Sequence, residues 1–243
     1  MKRRVWCGLV AGLLCGLWGG CVPMSRPVVR PEDYEETIRV ACVGDSITYG
    51  AGIENREQDH YPAQLGRMLG PQWECRNFGV SGATLLRRGD KPYWDEAAFA
   101  EALVYDPHVV IIKLGTNDSK PQNWEYADEF DRDYKDLIRR FAALPSRPRI
   151  YICLPVPVYE DRWGIREAVV RDEVLPRVRQ VAVDMGVGLI DLYTALSGKP
   201  EMFPDGVHPD AAGAGVMARA IYQAMTGQTA PTATSETAVG AGY

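Results

Sequence analysis

Five short segments between residues 39 and 190 are mostly apolar, and longer amphipathic stretches separate them. The segments are residues 39–43, 73–78, 108–114, 149–154 and 187–190. Short, nearly continuous runs of Val, Ile, Leu and Cys are typical of β-strands buried on both faces, because a strand with one solvated face alternates apolar and polar residues instead. The pattern therefore predicts five buried strands.

The stretches between these strands have the periodicity of helices. In residues 124–143 the apolar side chains return at helical spacing and form one face: Phe130, Tyr134, Leu137, Ile138 and Phe141. Residues 165–185 repeat the pattern, and Pro176 should kink or split that helix, because proline lacks the N–H that an interior turn needs. Asp210 is the predicted N-cap of a last helix.

Strands that alternate with helices predict an α/β protein, built as a three-layer α/β/α sandwich around a five-stranded parallel sheet. The connections between the strands should be right-handed. Residues 37–226 contain neither a repeat nor an internal linker, so we predict a single domain over this range. Because ligands bind at the carboxyl ends of the strands in such sheets, we expect the functional site at that edge.

The first twenty residues have the pattern of an export signal. Three basic residues at 2–4 precede the apolar run 5–18, which is shorter than the roughly 20 residues of a membrane-spanning helix. Two glycines then precede Cys21, which resembles a bacterial lipoprotein signal, in which this cysteine is lipidated. We therefore expect an exported protein that is anchored to a membrane through Cys21 and faces the periplasm or the cell exterior. A plain secretory peptide or an uncleaved anchor is the alternative.

Two further segments are predicted to lie outside the folded domain. Residues 21–36 contain three prolines and a run of acidic residues, and we predict a tether that does not pack. Residues 227–243 are mostly Thr, Ala, Gly and Ser, which is typical of a disordered tail.

Charge and cysteine content narrow the possible partners. The chain has 27 basic and 32 acidic residues, and without the three at 2–4 the balance is 24 to 32, a net charge of −8. An acidic body without a basic block argues against nucleic acid as the main partner. Cys42, Cys75 and Cys153 each fall in a predicted strand and are expected to be buried free thiols. No Cys/His cluster has metal-ligand spacing, so no metal site is expected.

Polar motifs follow the first three predicted strands. Residues 44–46 read Gly-Asp-Ser, and a serine on a sharp turn between a strand and a helix has the exposure and the nearby amides that a nucleophile needs. Residues 77–84 contain Gly79 and Gly82, whose backbone can approach a ligand closely. Residues 115–118 contain Asn117, whose amide can donate to an oxyanion. Taken singly, each motif is better explained by an ordinary turn or a flexible loop than by a catalytic site.

A fourth motif precedes the last predicted helix. Asp205 lies three residues before His208, a spacing that can place the carboxylate beside the imidazole and hold its tautomer. The remaining two histidines are interpreted differently: His60 as a surface or capping residue at a helix start, and His108 as a structural residue at the start of a strand.

Together the four motifs resemble those of the SGNH hydrolases, also called the GDSL family of esterases and lipases. The resemblance covers about residues 38–225, and Ile47 stands where the family's name motif has Leu. It implies a flavodoxin-like α/β/α fold and a carboxylic ester hydrolase that needs neither a metal nor an organic cofactor.

The resemblance also implies a role for each motif. Ser46 would be the nucleophile, and Asp205 and His208 would complete a catalytic triad. The oxyanion hole would consist of the backbone N–H groups of Ser46 and Gly82 and the side-chain amide of Asn117. The family's spacing favours Gly82, with Gly79 as the alternative.

Aromatic residues in the loops after the strands are the candidates for contacts with the substrate. Trp94, Tyr159 and Trp163, with Tyr93, are candidates for the substrate-binding rim, since aromatic rings beside polar groups suit stacking on sugars. Simple packing of the loops is an equally good explanation of these residues.

The whole chain looks like secreted bacterial SGNH members described as sialate or xylan O-acetylesterases. This implies removal of O-acetyl groups from extracytoplasmic carbohydrate, with a small ester or acetylated sugar as substrate. An arylesterase, a thioesterase or a lysophospholipase of the same family is a second enzymatic hypothesis. Two non-enzymatic hypotheses stay open as well: a flavodoxin-like cofactor binder, and a carbohydrate-binding lipoprotein without catalytic activity.

Overall fold

One parallel sheet of five strands forms the centre of the protein in a computed structural model that describes residues 28–231. The strands are β1 (Ile38–Gly44), β2 (Trp73–Gly79), β3 (Val109–Lys113), β4 (Arg149–Leu154) and β5 (Gly188–Asp191). Their order is β2-β1-β3-β4-β5, and every neighbouring pair is parallel. The predicted α/β class and the five-stranded parallel sheet are confirmed.

Helices cover both faces of this sheet. They are α1 (Ser46–Tyr49), α2 (Arg56–Asp59), α3 (Tyr61–Leu69), α4 (Ala97–Val104), α5 (Pro121–Trp124), α6 (Phe130–Ala142), α7 (Glu167–Val169), α8 (Leu175–Met185), α9 (Leu192–Leu196) and α10 (Ala211–Thr226). Buried residues of α4, α6 and α8 belong to the core on one face, and those of α3, α9 and α10 to the core on the other. The three-layer arrangement follows from these two cores.

Strand β3 explains why the central strands are continuously apolar. Val110 and Ile112 belong to one core, whereas Val109 and Ile111 belong to the other, and all four are buried. Successive side chains of a strand point to opposite faces, so a central strand between two helical layers needs apolar residues at every position. Lys113 at the end of β3 is also fully buried and breaks this rule.

The predicted helices are shorter than their periodicity indicates. The segment 124–143 is helical only from Phe130, because α5 ends at Trp124 and a 3₁₀ turn at Ala127–Glu129 follows it. The segment 165–185 is split, as predicted: α7 is followed by a π-helical turn at Val170–Val174 and then by α8. Pro176 lies in the first turn of α8, directly after the π-helical turn, which changes the hydrogen-bond pattern of the helix where a residue without an N–H must be accommodated.

The predicted tether ends earlier than residue 36. Val29 is buried, and its N–H donates to the carbonyl of Met225 at 2.7 Å, which ties this segment to α10. Residues Pro31–Asp33 form a 3₁₀ turn. The prediction that this segment does not pack was therefore wrong at Val29, whose apolar side chain lies in the core, whereas Glu32, Asp33, Glu35 and Glu36 are exposed.

The predicted export signal, Cys21 and most of the predicted tail lie outside the described residues. Within residues 28–231, none of the helices combines the length and the apolar character needed to cross a lipid bilayer. The last helix begins as predicted: the Asp210 side chain accepts the N–H of Gly213 at 2.8 Å.

Candidate active site

Ser46 is the first residue of α1, directly after β1. The side chain of Asp45 caps this helix by accepting the N–H of Ile47 at 3.0 Å. Gly44 permits the turn, because a Cβ there would lie 2.1 Å from Thr48 Oγ1 and 2.6 Å from the carbonyl oxygen of Lys113. The N–H of Ser46 is at the helix start, where backbone N–H groups have no intrahelical acceptor.

A relay of hydrogen bonds joins Ser46, His208 and Asp205. Ser46 Oγ lies 2.8 Å from His208 Nε2, and His208 Nδ1 lies 2.8 Å from Asp205 Oδ2. The loop before α10 thus reaches the turn after β1 across 162 positions of sequence. Ser46 is 8% exposed and lines a cleft.

Asp205 is held as a carboxylate. Its Oδ1 accepts the N–H of His208 at 2.7 Å and that of Val207 at 2.9 Å, while Oδ2 faces the imidazole. Burial alone would raise the pKa of Asp205, but these N–H donors and the imidazole outweigh it and hold the pKa below its ordinary value. An ionised Asp205 can fix the tautomer of His208, with Nε2 turned to Ser46.

A cleft of ≈ 260 Å³ opens above Ser46 and His208. Gly82 and Asn117 lie on its wall. The amide nitrogen of Asn117 donates to the carbonyl of Ala83 at 3.1 Å, and an amide nitrogen carries a second N–H that can reach a ligand. Gly82 adopts a φ of +83°, a conformation that favours glycine.

Gly82, the favoured oxyanion donor, and Gly79, the alternative, make different contacts in the structure. The N–H of Gly79 already donates to Asn77 Oδ1 at 2.9 Å. A Cβ at Gly79 would lie 2.2 Å from the backbone nitrogen of Tyr49, so this glycine allows β2 to pack against α1. Gly82, in contrast, lines the cleft.

Trp163 is the one predicted rim residue that lines the cleft within the described part of the chain. It is 56% exposed, and its ring centroid lies 5.3 Å from that of His208. Its φ is +52°, a conformation that bulky residues rarely adopt. Such strain is frequent at functional sites, where surrounding contacts enforce it.

The other predicted rim residues make contacts within the fold and do not line the cleft. Trp94 Nε1 donates to the carbonyl of Leu85, and its partly buried ring packs against the core. The Tyr159 hydroxyl donates to the carbonyl of Leu196. Tyr93 is fully buried. Placing Trp94, Tyr159 and Tyr93 at the cleft was therefore wrong, because loop packing satisfies both their rings and their polar groups.

The cleft also contains residues that the sequence did not single out. These are Ala51, Ser81, Lys120 and Ile165. Asp118 supports the wall from behind, since its carboxylate accepts the N–H groups of Leu85 and Leu86 at 3.1 and 2.8 Å, and burial raises its pKa to about 6. Its position beside Asn117 in the third motif was the only sequence signal for this role.

Larger grooves lie at both edges of the sheet but hold no comparable chemistry. One of ≈ 630 Å³ runs beside β5, and one of ≈ 1050 Å³ beside β2. His60, in the latter, caps α3 by accepting the N–H of Ala63, which is the capping role predicted for it. His108 accepts the N–H of Arg39, which agrees with the structural role predicted for it. Within residues 28–231 no group of His, Cys, Asp and Glu side chains is arranged to hold a metal ion.

The arrangement around Ser46 is suited to nucleophilic acyl transfer. A hydroxyl within hydrogen-bond distance of an imidazole, which a carboxylate orients in turn, can be activated as a nucleophile. The backbone N–H at the start of α1 and the amide of Asn117 flank the same cleft and can stabilise the charge that develops on a carbonyl oxygen.

Comparison with known proteins agrees with this geometry. The model of a family described as GDSL-like Lipase/Acylhydrolase matches residues 42–216. An acetylxylan esterase from Xylanibacter ruminicola is 41% identical over 213 residues, which cover 80% of this chain and 44% of that protein. A multidomain esterase from Ruminococcus flavefaciens is 21% identical over 209 residues, which cover 73% of this chain and 27% of that protein. The chain thus spans less than half the length of these curated relatives.

The fold is shared with solved structures. Est24, a carbohydrate acetylesterase from Sinorhizobium meliloti, superposes with a TM-score of 0.63 at 21% identity, covering 76% of this chain and 97% of that one. At this level of identity the likeness establishes the α/β/α fold and nothing about the substrate.

Proposed function

The chain belongs to the GDSL-like lipase/acylhydrolase family, and we propose that it is a serine esterase that removes O-acetyl groups from carbohydrate outside the cytoplasm. The relay from Ser46 through His208 to Asp205, with 2.8 Å at each link and a cleft above it, is the observation that carries this proposal. A binding protein without catalytic activity would not need the relay.

The first half of the reaction acylates Ser46. His208 Nε2 takes the proton of Ser46 Oγ as the oxygen attacks the carbonyl carbon of the ester, and Asp205 stabilises the imidazolium that forms. The negative charge moves to the carbonyl oxygen, which accepts hydrogen bonds from the N–H groups of Ser46 and Gly82 and from the amide of Asn117. The imidazolium then protonates the leaving alcohol as the bond to it breaks.

The second half releases the acid. His208 deprotonates a water molecule, which attacks the acyl carbon while the same three donors hold the new oxyanion. The bond to Ser46 Oγ breaks, the proton held by His208 returns to Ser46, and acetic acid leaves and loses its remaining proton to the solvent. His208 carries the proton between Ser46, the leaving alcohol and the attacking water, so the protein's own residues suffice for each of these steps.

Two features favour an acetylated carbohydrate as the substrate. The relative that is 41% identical over most of this chain is named an acetylxylan esterase. The exposed ring of Trp163 stands beside His208 at the mouth of the cleft, where it can stack on the face of a sugar whose acetyl group enters.

The size of the cleft predicts the preferred acyl group. Its ≈ 260 Å³ is below the roughly 300–1,000 Å³ of sites that enclose drug-sized ligands. Overpacking of a rigid site costs about 1–3 kcal/mol, and about 1.4 kcal/mol is a factor of ten. We expect acetyl esters to exceed octanoyl esters at least about tenfold in kcat/KM, measured on p-nitrophenyl esters of two to twelve carbons below their micelle concentrations.

The same assay includes acetylated xylo-oligosaccharides and a Trp163→Ala variant as the matched control. This variant should raise KM for the oligosaccharides and change p-nitrophenyl acetate hydrolysis little. A maximum at eight carbons or more would contradict the acetylesterase proposal and favour a lysophospholipase or thioesterase. A preference for aryl acetates that is equal in wild type and in Trp163→Ala would favour an arylesterase.

We also propose that the protein is exported and anchored to a membrane through a lipidated Cys21. The support is the sequence pattern of residues 2–21. Wild-type protein from a bacterial host should partition into detergent with the membrane fraction, and Cys21→Ser should release it or block its maturation. Recovery of the wild type entirely in the soluble fraction would leave a plain secretory signal.

A further inference from the structure

Lys113 is a fully buried cation at the carboxyl end of β3, in a strand that is otherwise apolar. Its Nζ donates to both carboxylate oxygens of Asp45, at 3.1 and 3.0 Å, and to Thr116 Oγ1 at 2.7 Å. An ammonium group has three N–H donors, so these contacts use its full capacity.

The three contacts join two separate turns of the candidate active site. Asp45 precedes Ser46 and caps α1 through the N–H of Ile47, so its carboxylate sets where the helix and its first residue begin. Thr116 precedes Asn117 in the turn after β3. A single ammonium group therefore holds the turn of the proposed nucleophile and the turn of the proposed oxyanion donor at a fixed separation.

Stability alone does not account for this ion pair. Removing two charges from water costs as much as or more than their attraction returns, and well-packed apolar residues are often as stable in their place. Burial lowers the pKa of Lys113, and the carboxylate of Asp45 opposes that effect only in part. The surroundings therefore disfavour the charged form of the lysine that they bury. A gain in geometry can account for the pair, because a displacement of about 1 Å can cost a hundredfold in rate.

We propose that Lys113 is a positioning residue that fixes Ser46 relative to Asn117 through Asp45 and Thr116. This inference rests on the proposed esterase function. It assigns to Lys113 an effect on the turnover step rather than on substrate binding, because the ammonium group lies beneath the two turns and does not line the cleft.

The main test is the double variant Lys113→Met/Asp45→Asn. It removes both buried charges together and keeps a side-chain oxygen to cap Ile47. We expect kcat for p-nitrophenyl acetate to fall at least tenfold with KM within twofold of wild type. A folded double variant whose kcat stays within twofold of wild type would overturn the proposal.

The matched control is His108→Gln, at the opposite end of the same strand. His108 is also buried and hydrogen-bonded, to Arg39 and Glu36, but it lies at the amino end of β3, away from the cleft. The His108→Gln variant should have a lower melting temperature than wild type and an unchanged kcat. An equal loss of kcat in this control would mean that any disturbance of β3 lowers the rate, and would also overturn the proposal.

Thr116→Val tests the link even if the double variant does not fold. It cuts only the contact on the Asn117 side and is nearly isosteric. We expect a loss of at least threefold in kcat at unchanged KM. Combined with Asn117→Ala, its effect should be much less than multiplicative, because Lys113 acts through Asn117 on that side. Fully multiplicative losses, or wild-type kcat in Thr116→Val, would contradict the inference.

A fluorophosphonate probe separates failure of this inference from failure of the proposed function. Ser46 Oγ would bond to phosphorus, fluoride would leave, and the serine proton would pass to His208, with no acyl substrate involved. If wild type labels at Ser46 but hydrolyses no ester, the proposed function fails, and the labelling rates of the variants still decide the role of Lys113. Equal labelling rates in wild type, in Lys113→Met/Asp45→Asn and in Thr116→Val would exclude the positioning role of Lys113.

Discussion

Replacement of Ser46 by alanine will reduce ester hydrolysis by at least about a thousandfold in kcat, because no other group in the relay can form the acyl-enzyme. The Ser46 hydroxyl bonds to His208 at 2.8 Å, and the backbone of α1 remains capped by Asp45. The variant should therefore keep its fold. The measurement is the steady-state rate on p-nitrophenyl acetate together with a thermal melt.

Ser197→Ala is a suitable control for this prediction. Ser197 follows the last residue of α9, is exposed, and does not line the cleft. Its hydroxyl donates to the carbonyl of Tyr193 within that helix. It should retain wild-type activity. A Ser46→Ala protein that melts like wild type and keeps more than a tenth of its kcat would refute the assignment of Ser46 as the nucleophile.

Asn117→Ala will lower kcat by about a hundred- to a thousandfold with little change in KM. The loss of one oxyanion donor typically has this size, because the contact strengthens as charge develops in the transition state. The variant also leaves the carbonyl of Ala83 without its amide donor, so some stability will be lost. The rates must therefore be measured well below the variant's melting temperature.

The split between kcat and KM is the decisive result for Asn117. A variant that raises KM and leaves kcat alone would assign the amide to ground-state binding instead. Asn117→Asp is the matched comparison of nearly equal size. It should be at least as inactive as Asn117→Ala, since a carboxylate would repel the oxyanion.

The folding pattern could be predicted because its signals are local. Strands β3 and β4 lie between two helical layers. Because both faces of such a strand are buried, its residues form a nearly uninterrupted apolar run that is visible in the sequence. The split at Pro176 is local as well, since proline constrains its own turn. The packing of Val29 was missed because its partner, Met225, lies at the other end of the domain.

The candidate site could be predicted in part for a related reason. Carboxyl ends of parallel strands meet at one edge, so motifs that follow β1 and β3 must come close together. The spacing favoured Gly82 but could not exclude Gly79, because no local pattern shows that the N–H of Gly79 already donates to Asn77 or that Gly82 lines the cleft. Nor could it separate Trp163 from Trp94, because both are aromatic residues in loops and only packing determines which ring stays exposed.

The sequence by itself determined the α/β class, the strands and the polar residues that end them, because hydrophobic periodicity and turn chemistry act over a few neighbouring residues. Only the tertiary structure decided which of those residues meet. His208 reaches Ser46 across 162 positions, and Lys113 reaches Asp45 across 68. Distances of 2.8 to 3.1 Å between such residues depend on how the whole sheet and its helices pack, and no local pattern encodes them.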